Sequence, residues 1–284
     1  MKLAATVVMY NPEIYFLDNI QSYLGYIQKL YIIDNSENPR SDFFKALIAN
    51  PKVELISNAT NYGIAKAINI AAAKSTSDGY DWLMTMDQDS FFEKMVLEQY
   101  LNYANSYSDK RKVAIFGLPY DKNFLRKVPP EEKYVQVDSL ITSGSLVNLE
   151  VLRELKGFNE KLFIDEVDHE YCFRANESGY KVVCIRTGFL SHSLGEKISA
   201  SGIITGKSTI KTLHNPLRIY YIIRNGLYIS KRFRKSFPDQ AKKRKKLIYV
   251  TVKNNLLYGH EKTAVIKYTI LGFWHYVKNR YYKL

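Results

Sequence analysis

The sequence predicts an α/β protein with a mainly parallel sheet, followed by basic amphipathic helices. Over the first 120 residues, short apolar and β-branched runs alternate with longer amphipathic runs. This order is typical of parallel strands joined by right-handed helical crossovers. From residue 214 the chain becomes helical and strongly basic. We therefore place one domain at residues 1–210 and a basic, membrane-associating helical region at residues 211–284.

Each predicted element follows from its local pattern. Apolar runs predict strands at residues 3–10, 29–36, 52–58, 80–89 and 112–120. Apolar residues at helical spacing predict helices at residues 11–24, 41–50, 61–75 and 93–107. Beyond these come a strand, a turn and a helix at residues 135–155, a helix after residue 163, and strand runs ending at His192. Residues 195–209 are small, polar and Gly-rich, which predicts a mobile loop.

Composition and charge indicate the compartment of the protein and the kind of partner that it binds. No window approaches the roughly 18 apolar residues of a transmembrane helix, and the first residues read as a strand, with no signal-peptide cleavage pattern. Two cysteines without metal-type spacing, Cys172 and Cys184, indicate a reducing cytoplasm and small core residues. Residues 201–284 carry 19 Lys and Arg against 2 Asp and Glu, a balance of +17. Such a region favours an anionic partner, either a lipid surface or a nucleic acid.

Polar residues follow several predicted strands, where ligands of parallel α/β sheets collect. Asp87 and Asp89 end the fourth strand, one residue apart. Two carboxylates on a rigid strand end suit Mg²⁺ or Mn²⁺, which share their remaining ligands with phosphate oxygens. The alternative is a solvated turn in which Asp89 or Ser90 caps the next helix. The strand-end position favours the metal site.

The segment at residues 163–174 concentrates carboxylates, among them Asp165, Glu166 and Asp168, between apolar residues. A carboxylate in a partly apolar cleft is a candidate general base. An acidic helix start, favoured by the helix dipole, is the alternative. His192 follows a strand and precedes the Gly-rich stretch, so it is a candidate metal or diphosphate contact, with a structural role as the alternative.

Motifs of other enzyme classes are missing. The first strand has no G-x-G-x-x-G after it, and neither a G-x-S-x-G elbow nor an H-E-x-x-H zinc motif occurs. Residues 201–208 resemble a phosphate-binding loop, but Ser201 stands where its first Gly is required. The basic run at residues 231–247 is read as part of an interfacial membrane anchor because its neighbours are amphipathic and rich in Tyr.

Seven stretches occur in the order that a family 2 glycosyltransferase shows: "VVMYNP", "IIDNS", "NYGIAKAIN", "MDQDS", "ITSGSLVN", "FIDEVDHEYCFR" and "SHSLG". Over residues 7–195 the chain thus resembles that family, most closely its bacterial rhamnosyltransferase-like branch. The resemblance implies the GT-A nucleotide-diphospho-sugar transferase fold, a Rossmann-like, mainly parallel sheet with helices on both faces. It also implies transfer of a sugar from a nucleoside diphosphate donor with inversion at the anomeric carbon.

The resemblance also assigns roles to residues of this sequence. It implies that the nucleotide sugar is bound by Tyr10, Asn11, Asp34, Asn61, Gly63, Lys66 and Asp87, and that Mg²⁺ or Mn²⁺ is held by Asp87, Asp89 and His192. Asp168 matches the family's catalytic base. Val167 replaces the Glu that usually precedes this base, and Asp165 lies three residues before Asp168, so both aspartates remain candidates.

The resemblance implies a dTDP-rhamnose donor and a polyprenol-linked or oligosaccharide acceptor in bacterial surface polysaccharide synthesis. The expected location is the inner face of the plasma membrane, with an anionic lipid surface as partner and no nucleic acid. Two alternatives remain. One is a hexosyl- or galactofuranosyltransferase with a UDP-sugar donor. The other is a non-catalytic, basic protein that binds nucleotides or nucleic acids.

Overall fold

The computed structural model describes residues 1–39, 41–119, 132–192, 196–201 and 208–284. It contains two compact units. The first, which we call the sheet unit, comprises Met1–Phe163 and Val167–His192; the second, the helical unit, comprises Ile164–Glu166 and Ser193–Leu284. The predicted domain boundary at residue 210 stays a prediction.

The described sheet unit alternates strands and helices. Its strands are β1 (Leu3–Met9), β2 (Lys29–Asp34), β3 (Val53–Ser57), β4 (Trp82–Asp87), β5 (Ser90–Phe91), β6 (Val113–Gly117), β7 (Tyr134–Gln136), β8 (Ser145–Asn148), β9 (Lys181–Ile185) and β10 (Ser191–His192). Its helices are α1 (Phe16–Leu24), α2 (Lys45–Ile48), α3 (Ile64–Ser77), α4 (Lys94–Ser106), α5 (Leu149–Glu154) and α6 (Val167–Glu177). Short 3-10 turns lie at Ser41–Phe44, Lys110–Lys112 and Glu160–Leu162.

Eight of the described strands form one sheet in the order β3-β2-β1-β4-β8-β6-β9-β7. β1 pairs in parallel with β2 and β4, and β2 with β3, whereas β8 runs antiparallel to both β4 and β6. Met9 is in register with Asp34, and Val8 with Asp87. The carboxyl ends of β1, β2 and β4 therefore meet at one edge of the sheet. The prediction of a mainly parallel α/β sheet is confirmed.

The core of the sheet unit explains why its strands could be predicted. All seven residues of β1 are buried, as expected of a parallel strand covered on both faces. Trp82 of β4 stacks on Phe116 of β6 with ring centres 5.3 Å apart. Cys172 and Cys184 are buried thiols that form no disulfide, which confirms their placement in the core. Burial raises the pKa of the Cys184 thiol to about 12, so this thiol stays protonated.

The described helical unit contains strands β11 (Glu196–Ser201) and β12 (Ser208–Leu213) and helices α7 (Pro216–Arg232), α8 (Pro238–Tyr258) and α9 (Lys262–Val277). Ile219, Ile223 and Val265 form its apolar core. The guanidinium of Arg224 is wholly buried and lies 5.1 Å from the ring centre of Tyr221. Among the described residues, no helix combines the length and apolar character needed to cross a membrane.

One sequence prediction is wrong in this unit. β11 and β12 pair as an antiparallel hairpin, with Ser201 opposite Ser208, where a mobile loop was expected at residues 195–209. Residue 195 and residues 202–207 lie outside the described residues, and with them most of the stretch that resembles a phosphate-binding loop.

Candidate active site

The loop after β1 is held by the ends of β2 and β4. The backbone N–H of Tyr10 donates to Oε1 of Gln88 at 2.9 Å, and the N–H of Asn11 donates to Oγ of Ser36 at 2.8 Å. Asn11 has a left-handed backbone with φ +44°. Tyr10 and Asn11 are both exposed at this edge of the sheet, where the sequence predicted nucleoside contacts.

The end of β2 lies beneath that loop. Asp34, Asn35 and Ser36 are all at most 3% exposed. Oδ1 of Asp34 accepts the N–H of Ser36 at 2.9 Å, and this bond fixes the residue whose hydroxyl receives the Asn11 N–H. Through Ser36, Asp34 therefore helps to fix the position of the loop after β1. Because its side chain is buried, direct contact with a nucleoside requires a change in the segment after β2.

The turn before α3 brings three predicted residues together. Oδ1 of Asn61 accepts the N–H of Gly63 at 2.9 Å. Gly63 has φ +81°, and a Cβ at this position would lie 2.4 Å from the carbonyl oxygen of Phe163. Only glycine fits both constraints. Nζ of Lys66 lies 4.2 Å from the centre of the Tyr62 ring, a cation–π contact in the first turn of α3.

Asp87 and Asp89 flank a residue that is tied to β1 and α1. Gln88 receives the Tyr10 N–H on its side chain, and its carbonyl accepts Nδ2 of Asn19 at 2.9 Å. The two aspartates are partly exposed on either side of it. These contacts anchor the turn between β4 and β5 through Gln88.

A serine pair supports the same turn from the other side. The N–H of Asp87 donates to Oγ of Ser143 at 3.2 Å, and that hydroxyl donates to Oγ of Ser90 at 2.9 Å. Ser90 is in turn paired with His192 in the two-residue ladder between β5 and β10. His192 therefore lies opposite Ser90 in this ladder, and Asp89 is the residue immediately before Ser90. The side chain of His192 is outside the described part of the structure.

Where side chains are described, no three His, Cys, Asp or Glu residues are grouped so that they could hold a metal ion. The pair Asp87 and Asp89 nevertheless has the donor chemistry of Mg²⁺ and Mn²⁺, which take one or two protein carboxylates and complete their shell with water and phosphate oxygens. The residues present therefore fit such an ion, and the metal site stays a prediction.

Asp168 lies in the first turn of α6, in the sheet unit. Its Oδ1 accepts the N–H of His169 at 2.8 Å, a local bond at a helix start, where negative charge is favoured. Glu170, one of the other carboxylates in this segment, is 4% exposed and pairs with Arg174 at 2.9 Å. Glu170 is therefore a structural residue of α6, and Asp168 is partly exposed.

Asp165 and Glu166 belong to the helical unit, and each is paired with an arginine of that unit. Nη2 of Arg218 lies 3.0 Å from Oδ1 of Asp165, and Nε of Arg244 lies 2.7 Å from Oε2 of Glu166. Asn225 donates to the carbonyl oxygens of Ile164 and Asp165 at 2.7 and 3.2 Å. Both acidic residues have left-handed backbones, with φ +60° and +64°. The arginine and asparagine contacts hold this strained segment in place.

Sequence reasoning missed the residues that support the site. Ser36, Gln88 and Ser143 each receive or make a hydrogen bond at a strand end, yet the sequence marked only their neighbours. For Gln88 the sequence held a signal. In an extended segment successive side chains point to opposite sides, so the side chain between Asp87 and Asp89 is expected to point away from both. For Arg218 and Arg244, which lie 53 and 78 residues from their acidic partners, the sequence offered no signal.

Comparison with known proteins identifies the domain that carries this edge of the sheet. The model of Glycosyl transferase family 2 matches residues 6–144, from β1 to the turn that contains Ser143. The chain carries a family 2 glycosyltransferase domain. The transferase is also 27% identical over 285 residues to the dTDP-rhamnosyl transferase RfbF of Shigella flexneri, a match that covers 92% of this chain and 90% of the relative.

Two solved structures share the fold of the transferase. The crystal structure of GalNAc-T7 with UDP, GalNAc and Mn²⁺ aligns with a TM-score of 0.55 and 12% identity over 90% of this chain. That of TarS from S. aureus aligns with a TM-score of 0.52 and 14% identity over 96% of this chain. The transferase spans 56% and 44% of those two chains, so it is about half their length. At these identities the likeness concerns the fold alone, which is the GT-A fold.

Proposed function

We propose that the transferase moves L-rhamnose from dTDP-rhamnose to a lipid-linked or saccharide acceptor in bacterial surface polysaccharide synthesis, with inversion at the anomeric carbon. The observation that carries the donor assignment is the similarity to a dTDP-rhamnosyl transferase along 92% of the chain. The proposed place of action is the inner face of the plasma membrane.

The donor lies at the carboxyl ends of β1, β2 and β4 in this proposal. Tyr10 and Asn11, exposed after β1, contact the nucleoside, and Asp34 orders them from below. Asn61, Gly63 and Lys66 line the donor pocket from the start of α3. The ammonium of Lys66 supplies a positive charge there, and Gly63 leaves room for the backbone to approach Phe163.

Asp87 and Asp89, with His192, would hold Mg²⁺ or Mn²⁺, and Asp87, in register with Val8 of β1, would also contact the ribose. The ion would supply Lewis-acid stabilisation of the charge that develops on the diphosphate leaving group. The chain's own contribution is positional: Gln88 and the Ser143–Ser90 hydrogen bond fix the turn that presents both carboxylates.

We assign the general base to Asp168 and a positioning role to Asp165. Asp165 is only 16% exposed and its carboxylate is bound by Arg218, a contact that a proton-accepting oxygen would have to give up. The His169 N–H donates to Oδ1 of Asp168, so the second carboxylate oxygen can accept a proton in this proposal. In the proposed reaction, Asp168 takes the proton of the acceptor hydroxyl while the new C–O bond forms and the bond to the diphosphate breaks.

The enzyme test compares Asp89→Ala with Asp81→Ala, which changes an exposed aspartate just before β4, at the opposite end of the same strand. We expect Mg²⁺- or Mn²⁺-dependent transfer from dTDP-rhamnose to fall by a factor of about 10² to 10³ in Asp89→Ala, and to persist in Asp81→Ala. Faster turnover with a UDP-sugar would replace the donor assignment. Nucleotide binding without turnover and without metal dependence would refute the proposed function.

The base test compares Asp168→Asn with Asp165→Asn. We expect Asp168→Asn to lower kcat by about 10² to 10⁴ while the donor dissociation constant stays unchanged. Asp165→Asn should mainly lower the urea midpoint, because it weakens the pair with Arg218. A larger loss of kcat in Asp165→Asn, in protein shown by circular dichroism to be folded, would contradict the assignment.

A further inference from the structure

Helix α9 is apolar on two opposite faces. On one face, Val265 is 2% exposed in the core of the helical unit, and a Cβ at Gly272 would lie 2.8 Å from the carbonyl oxygen of Tyr220. This face therefore packs tightly on α7. The opposite face carries five large apolar side chains that are each 49–64% exposed: Ile266, Ile270, Phe273, Trp274 and Val277. We call these five residues the α9 stripe.

The α9 stripe has helical spacing and a basic border. At 3.6 residues per turn, its five side chains lie within about 100° of the helix circumference. On the same projection, the exposed Lys262 borders the stripe on one side, and the exposed Lys267 and Lys278 border it on the other. Nζ of Lys278 lies 4.9 Å from the centre of the Trp274 ring. An apolar band with lysines along both edges is the arrangement of a helix that lies in a membrane interface.

We propose that the α9 stripe docks the protein on an anionic lipid bilayer, with α9 lying in the plane of the interface. At 16 residues, α9 is about 24 Å long and too short to span the roughly 30 Å of hydrocarbon. Its lysine side chains can reach the headgroups while their apolar stems and the stripe enter the acyl boundary. The balance of +17 in residues 201–284 attracts the region to a negative surface.

Two other occupants fit this face less well. A second copy of the chain would bring the lysines bordering one stripe against those of the other, a like-charge arrangement that disfavours the pairing. A nucleic acid would engage the lysines but leave the five apolar side chains in water. The bilayer satisfies the charge and the apolar area together.

This inference narrows the predicted membrane-associating region, residues 211–284, to one inserting helix. The second half of the basic run at residues 231–247 lies in α8. Lys242, Lys243, Lys245 and Lys246 of α8 are exposed, so they can attract anionic lipid, whereas α9 supplies the apolar contact. The inference rests on the proposed function for the membrane location, but lipid binding is measurable without donor or acceptor.

The first experiment is vesicle flotation of the full chain with phosphatidylcholine vesicles that contain or lack 30% phosphatidylglycerol. We expect the wild type to float with the phosphatidylglycerol vesicles and the double variant Ile270→Glu/Phe273→Glu to bind about tenfold or more weakly, since two large side chains lose their apolar burial. The matched control is Met95→Glu, at a residue 71% exposed on α4 of the sheet unit, and its binding should be unchanged.

A second experiment reads the depth of α9 directly. The chain has two tryptophans, so Trp82→Phe leaves Trp274 as the one indole. We expect vesicles to shift its emission to the blue and brominated acyl chains to quench it. If Trp82→Phe does not fold, the wild type serves, because Trp82 is only 5% exposed in β4 and its emission should not respond to lipid.

The outcomes decide the proposal. Weaker flotation of Ile270→Glu/Phe273→Glu with unchanged Met95→Glu supports it, as does quenching of Trp274 by brominated lipid. Equal flotation of wild type and the double variant overturns it. Two results would overturn the proposal in favour of another occupant, each if the wild type does not bind vesicles. One is a wild-type dimer that becomes monomeric in the double variant. The other is RNA binding that the double variant weakens. Sugar transfer to a soluble acceptor, assayed separately, tests the proposed function.

Discussion

Replacing Arg244 by Met leaves the Glu166 carboxylate without its guanidinium partner inside the helical unit. The two side chains are 7% and 9% exposed and 2.7 Å apart. At an effective dielectric constant of about 20, that distance corresponds to about 6 kcal/mol of attraction, which the desolvation of both charges largely offsets. Removing one partner keeps the desolvation cost and loses the attraction. We therefore expect Arg244→Met to lower the free energy of unfolding by about 3–5 kcal/mol.

The assay is urea denaturation followed by circular dichroism, for Arg244→Met, Glu166→Gln and the double variant. The double variant should be more stable than the sum of the single losses predicts, because it no longer buries an unpaired carboxylate. Lys242→Met is the matched control on the same helix. Its pair with Asp239 is 3.7 Å long and 80% and 84% exposed, so the loss should be below about 1 kcal/mol.

Arg244→Met should also lower kcat more than it changes donor binding, because Glu166 lies two residues before Asp168, the proposed general base. Equal small losses for Arg244→Met and Lys242→Met would refute the reasoning about burial. Strictly additive losses in the double variant would refute the pairing itself.

Two further predictions concern the backbone and pH. Gly63→Ala should lower the free energy of unfolding by about 3 kcal/mol or more, since its Cβ would meet the Phe163 carbonyl; Gly79→Ala, with a similar φ of +79° and open space around it, should cost about 1–2 kcal/mol in the same urea titration. Burial, reinforced by Arg218 and opposed by Asp165, lowers the pKa of His214 below its ordinary value of 6.5. The unfolded chain then binds the proton more readily, so stability is full above about pH 6.5 and falls as the pH drops below it. His214→Gln should reduce this fall in urea midpoints measured from pH 7.5 to 5, and a wild type equally stable throughout that range would contradict the assignment.

The sheet could be predicted because central strands such as β1 and β4 are buried on both faces. β1 reads "LAATVVM" and β4 reads "WLMTMD", and such continuous apolar runs leave few alternatives once helices alternate with them. The edge where Asp34 and Asp87 lie follows from the parallel register, which the alternation of strands and helices predicts. For these elements the local pattern and the tertiary environment agree.

The β11–β12 hairpin could not be predicted in the same way. Its first strand reads "EKISAS", mostly small and charged residues of low strand preference. The second reads "STIKTL" and contains β-branched residues, but the Gly-rich stretch before it favoured a loop. Each strand is stabilised by its backbone pairing with the other, and the local sequence of one strand does not show that pairing. The contact between Asp165 and Arg218, which supports the proposed choice of Asp168 as base, was equally closed to sequence reasoning, because the two residues are 53 positions apart.

The helical unit is discontinuous in sequence, because it combines the short segment Ile164–Glu166 with Ser193–Leu284. A recombination event that exchanged only the region after residue 193 would replace Arg218 and Arg244 but leave their acidic partners behind. The incoming helices would then face Asp165 and Glu166 without matched cations, so such chimaeras would be selected against unless both segments changed together. Compensating charge changes at positions 165 and 218, and at 166 and 244, are therefore expected among descendants of this chain.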